Sequence, residues 1–64
     1  MNTVKAEDVK EEMELRMWFG TYSVLRIDPY TGSDDTILNI LIFSNGYTLR
    51  NFKSNIYRLK KNTN

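Results

Sequence analysis

The residue types best suited to gripping another molecule crowd toward the C-terminus: Tyr47, Arg50, Phe52, Lys53, Tyr57, Arg58, Lys60 and Lys61. Cations of this kind hold phosphates, and aromatic faces stack on unpaired bases at about 1 to 3 kcal/mol per base. Arg50, Lys53, Tyr57, Arg58, Lys60 and Lys61 are therefore the candidate nucleic-acid contacts. The sequence pI of about 8.0 falls short of the value above about 9 that marks a strongly electrostatic binder. A second set, Trp18, Tyr30, Phe43, Arg50 and Phe52, is weighted toward the aromatic and arginine residues that carry energy in protein interfaces. These five are the candidate partner-binding residues, and protein binding is the favoured expectation.

Much chemistry is excluded outright. The chain has no histidine and no cysteine, so it cannot assemble a Ser-His-Asp or Cys-His arrangement, or a zinc site built on nitrogen and sulfur. Asp28, Asp34 and Asp35 bracket one loop and could offer oxygens to a hard cation, but Tyr30 and Gly32 stand where a calcium loop needs Asp or Asn. The glycines Gly20, Gly32 and Gly46 are scattered singly and form no phosphate cradle. No catalytic residue, metal or cofactor is assigned, and the expected role is non-catalytic.

Charge divides along the chain. Residues 1 to 35 carry four cations against eight acids, a balance of −4, whereas residues 36 to 64 carry five cations and no acid, a balance of +5. Such asymmetry points to an acidic partner or nucleic acid, unless the two halves lie side by side and neutralise each other. The acidic opening segment, Glu7, Asp8, Glu11, Glu12 and Glu14, is either a solvated face or a mimic of phosphates.

Sixty-four residues make a single domain, with a core over about residues 4 to 60 and a frayed tail at 61 to 64. A chain this short buries only about 60% of its unfolded surface, and without disulfides or zinc it relies on apolar packing, with a homodimer as one source of extra stability. The lack of cysteine suits a reducing cytoplasm. No apolar run is long enough to span a membrane, and the polar, acidic N-terminus is unlike a secretion signal. Enrichment in Asn, Lys, Ile and Tyr with one Pro suggests an AT-rich coding source such as a phage or mobile element.

The opening "TVKAEDVKEEMELRMWFG" admits two readings. As one helix over residues 4 to 18, it would pack Ala6, Val9, Met13 and Met17 on a three- or four-stranded sheet, an α+β fold. As a short helical turn followed by a strand, it puts Met13, Leu15, Met17 and Phe19 on one face, and this alternation is the better fit. "TYSVLRID" then shifts its apolar parity midway, which predicts a bulge. "DPYTGSDD" supplies turn chemistry for a hairpin loop. The third strand runs from Thr36 to Phe43, and Asn45-Gly46 predicts a two-residue hairpin turn. That turn pairs Phe43 with Thr48, Ile42 with Leu49 and Leu41 with Arg50. Leu38, Ile40, Ile42, Tyr47 and Leu49 then face the core, leaving Ile37, Leu41, Phe43 and Phe52 on the other side. A short turn at Ser54-Asn55 leads to a last strand, Ile56 to Leu59.

Together, "MELRMWFGTYSVLRID", "TILNILIF", "NG", "YTLRNF" and "IYRL" resemble the SH3-like small β-barrel in the broad sense that includes KOW- and Tudor-type modules. The likeness covers about residues 4 to 60 and rests on strand order and loop placement. It implies a five-stranded all-β fold with a short N-terminal helical turn, and a binding role in which loops and a sheet edge grip the ligand. Such barrels often carry Gly plus an apolar residue before the first strand, where this chain has Glu12-Met13.

Overall fold

Alternating apolar and polar residues, punctuated by single glycines and Asn or Asp clusters, give strands and tight turns. In the computed structural model, which describes residues 2–60, these are β1 (Thr3–Lys5), a 3-10 turn at Ala6–Asp8, β2 (Glu14–Met17), β3 (Gly20–Pro29), β4 (Ile37–Phe43), β5 (Thr48–Phe52) and β6 (Ile56–Leu59). They form one antiparallel sheet in the order β1-β6-β2-β3-β4-β5. The fold is all-β, as expected, and the α+β alternative fails. Glu12 has φ +76°, outside any right-handed helix, and Leu15 must alternate inward to be fully buried. The strands number six, one more than expected, because β1 is too short for alternation to reveal. The expected frayed tail, 61 to 64, lies outside the described residues.

Strand β3 is the hinge of the architecture. Its first half, Gly20 to Ser23, pairs with β2, and its second half, Val24 to Pro29, pairs with β4. The register shifts between Val24 and Arg26, so the expected bulge is present, with Leu25 outside. Between the two halves lies a core of Val4, Ala6, Val9, Leu15, Val24, Leu41, Phe43 and Tyr57. Each large side chain fully buried here contributes about 1.5 to 3 kcal/mol.

The β4–β5 hairpin differs from the expected one by one residue. Phe43 N–H donates to Tyr47 O at 2.8 Å and Gly46 N–H donates to Phe43 O at 2.8 Å, so the loop is Ser44-Asn45-Gly46, three residues long. Gly46 at φ +90° supplies the left-handed position that such a loop needs. Leu41 therefore pairs with Leu49, and Ile42 with Thr48. A slip of one residue exchanges the faces of a strand: Ile37, Leu41 and Phe43 are core, while Ile40 and Ile42 lie on the outer side. Tyr47, expected inside, is 40% exposed.

The same register buries Asn51 completely. Its Nδ2 donates to Ala6 O at 3.1 Å and to Asn39 Oδ1 at 2.8 Å, and its Oδ1 accepts from the Tyr57 hydroxyl at 2.7 Å. One amide thus ties β5 to the 3-10 turn, β4 and β6, and every buried side-chain polar atom among the described residues has a partner.

Candidate interaction surfaces

Two tight turns meet at one end of the sheet. The β2–β3 turn carries Trp18 and Phe19, and the β4–β5 turn delivers Tyr47 beside them. The rings interlock: Trp18 sits edge-on to Phe19 at 5.0 Å and to Tyr47 at 5.8 Å between centroids, and Phe19 lies 4.3 Å from Tyr47. Phe19 also stacks on Tyr22 at 5.8 Å and meets Phe43 edge-on at 5.3 Å. Phe43 and Phe19 anchor the cluster to the core, and Trp18, 72% exposed, stands on top of it. Aromatic pairs of this kind contribute about 0.5 to 1.5 kcal/mol beyond burial, so the indole is held in place at little entropic cost. Trp18 is among the residues expected from the sequence; Tyr47, expected to face the core on a two-residue turn, is brought to the surface by the three-residue loop.

The other expected partner contacts are dispersed. Phe43 is fully buried and is a core residue, a correction that follows from the hairpin register. Tyr30 belongs to the β3–β4 loop, at the far end of β4 from Trp18. Its ring lies over Gly32, leaving no room for a side chain there, and its hydroxyl accepts from Asp34 N–H at 3.3 Å. Arg50 and Phe52 project from the outer side of β5, both exposed.

The basic set is likewise divided. Tyr57 is buried, with its hydroxyl donating to Asn51 and accepting from Asn55 Nδ2 at 2.9 Å, so it offers no ring face to a base. Burial holds its phenol above the ordinary value of 10.0, opposed by the Asn55 hydrogen bond. Lys53 is exposed just after β5, Lys60 reaches Glu14 at 3.6 Å, and Lys61 lies outside the described residues. Arg58 stands directly opposite Arg16, with Thr3 and Thr21 at either end of the same cross-strand row. Among the described residues neither arginine forms an ion pair. Arg16, far from the basic C-terminal segment in sequence, is therefore Arg58's cross-strand neighbour.

The two charge halves interleave. Besides the Lys60–Glu14 pair, Asp34 Oδ1 accepts from the Thr36 hydroxyl at 2.6 Å and from Thr36 N–H at 3.0 Å. These two bonds, helped by the charge of Arg50, hold the Asp34 carboxyl below its ordinary value of 3.8. Among the described residues no three carboxylates group closely enough to hold a metal ion, and no helix is long and apolar enough to cross a membrane. Comparison of the chain with family models, with curated proteins and with solved structures returns no match.

Proposed function

We propose that this chain is a non-catalytic binding module of the SH3-like small-barrel type, working in a reducing cytoplasm, that grips another protein through Trp18 and Tyr47 and so modulates or inhibits it. The observation that carries this reading is an indole 72% exposed yet braced by two rings. In a fold this small, a large aromatic left in water forfeits about 1.5 to 3 kcal/mol of burial, and braced aromatic anchors are the residues that dominate protein interfaces. The all-β antiparallel sheet with its tight hairpins is compatible with a small barrel of that type. Affinity capture on immobilised chain tests the function. A nuclease-resistant protein should be retained by the wild type and lost with Trp18→Ala; retention unaffected by Trp18→Ala refutes the site.

One observation favours a second reading. The row Thr3–Arg58–Arg16–Thr21 places two like charges directly opposite each other, which destabilises a sheet unless an anion bridges them. Such a row, spaced at about 4.8 Å per strand, suits a phosphate backbone. Under this reading a single-stranded oligonucleotide binds at low salt, weakens steeply as salt rises, and is lost with Arg16→Glu plus Arg58→Glu.

A further inference from the structure

The outer face of β3, β4 and β5 is the surface that the hairpin register exposes. Ile40 and Ile42 turn away from the core and are half-buried, and neither belongs to the core cluster. Two cross-strand rows run through them. Asp28 and Arg50 flank Ile40, and Arg26 and Thr48 flank Ile42. Leu25, 61% exposed in the bulge, and Phe52, 36% exposed at the end of β5, extend the apolar area toward opposite corners.

We infer that this face is covered by a second copy of the chain, related by a two-fold axis lying close to the direction of β4. Rotation about that axis exchanges the positions of β3 and β5. Asp28 then meets Arg50 of the second copy, Arg50 meets Asp28 of the second copy, and Ile40 and Ile42 each meet their own counterparts. The face is self-complementary because its opposite charges lie at equal distances, about 4.8 Å, on either side of the apolar strand. An axis across β4 at Ile40 would instead set Asp28 against Asp28 and Arg50 against Arg50, whereas the axis along β4 pairs each Asp28 with an Arg50 and keeps Ile40 and Ile42 on their own counterparts.

The groups are free to make these contacts. Arg50 forms no ion pair among the described residues. Asp28 already accepts from Arg26 Nε at 2.8 Å and Nη2 at 3.1 Å, but a carboxylate has about four lone-pair sites and can take a second guanidinium. A standard interface takes about 800 Å² from each partner, roughly a sixth of this chain's 4749 Å². A fold of this size without cysteine for disulfides also stands to gain from self-association. The site is separate from the Trp18–Tyr47 end, so dimerisation leaves that surface open.

Sedimentation of the full chain from low micromolar to millimolar concentration tests the inference, with circular dichroism confirming that each variant is folded. The wild type should approach twice 7.6 kDa as concentration rises. Arg50→Asp alone and Asp28→Lys alone should each self-associate at least tenfold more weakly, because each makes two like-charge contacts. An equal mixture of the two variants should recover the wild-type mass, since the heterodimer restores both opposite-charge pairs. A wild type that stays monomeric at millimolar concentration overturns the inference. So do single variants that dimerise like the wild type, or a mixture no heavier than its components.

Discussion

Replacing Asn51 by alanine tests the packing logic most sharply. The side chain is fully buried and makes three hydrogen bonds, to Ala6 O, Asn39 Oδ1 and the Tyr57 hydroxyl. At about 1 kcal/mol net for each bond the loss is about 3 kcal/mol, and the Tyr57 hydroxyl, which keeps only the bond it accepts from Asn55, is left without an acceptor for its proton and raises it, since a buried unsatisfied group costs about 1 to 3 kcal/mol. A 64-residue domain has only about 3 to 10 kcal/mol in total at typical stabilities per residue. Asn51→Ala should therefore bring the fold to the edge of unfolding. With a urea slope near 1 kcal/mol per molar for a domain this small, the midpoint should fall by about 3 M. Tyr57→Phe removes one of the three bonds to Asn51 together with the bond from Asn55 and should cost about 1 to 3 kcal/mol. The double variant should show a coupling of at least about 0.5 kcal/mol. A loss below about 1 kcal/mol for Asn51→Ala, at unchanged slope, would refute the claim that this amide ties the two halves of the sheet together.

Three further outcomes are expected. Glu12→Gly should stabilise the fold by about 0.5 to 1 kcal/mol in thermal unfolding, because it relieves a left-handed cost of about 1 to 2 kcal/mol at φ +76° while adding some unfolded-state entropy. Phe43→Ala should destabilise by about 3 to 5 kcal/mol and leave most of the chain unfolded by circular dichroism, as befits a core residue rather than a surface contact. In an absorbance titration, Tyr57 should ionise above the ordinary tyrosine value. Burial raises the folded pKa of Tyr57 above 10.0, so its contribution to stability is complete below pH 10 and is lost as pH rises from there through the folded value.

Elements with strong local signals were legible in the sequence. Alternation at Met13, Leu15 and Met17 marked β2, and the parity shift across Val24 and Leu25 marked the bulge. The Asn-Gly pair located the hairpin but not its loop length. Both faces of β4 are apolar, so a register differing by one residue satisfies the hydrophobic pattern equally well. The observed register instead sets half-buried Asn39 opposite fully buried Asn51, joined by a hydrogen bond at 2.8 Å, a pairing that pattern reasoning disfavours. The consequences pass directly to the candidate sites. Phe43 went into the core, Tyr47 emerged beside Trp18, and Ile40 and Ile42 became the outer face. The basic residues Arg50, Lys53 and Arg58 are near in sequence but lie on different parts of the sheet. Arg16 joins Arg58 only through the pairing of β2 with β6, a contact between distant segments that no local motif reveals.

The emission of Trp18, the only tryptophan, measured on the isolated chain and on the chain bound to its captured protein, bears most directly on the proposed binding surface. The proposal predicts red, water-exposed emission in the free chain, a blue shift on binding, and at least about a thirtyfold loss of affinity for Trp18→Ala, the size of an interface hot spot of 2 kcal/mol or more. Unchanged emission in a stable complex would contradict it and place the binding surface elsewhere on the sheet.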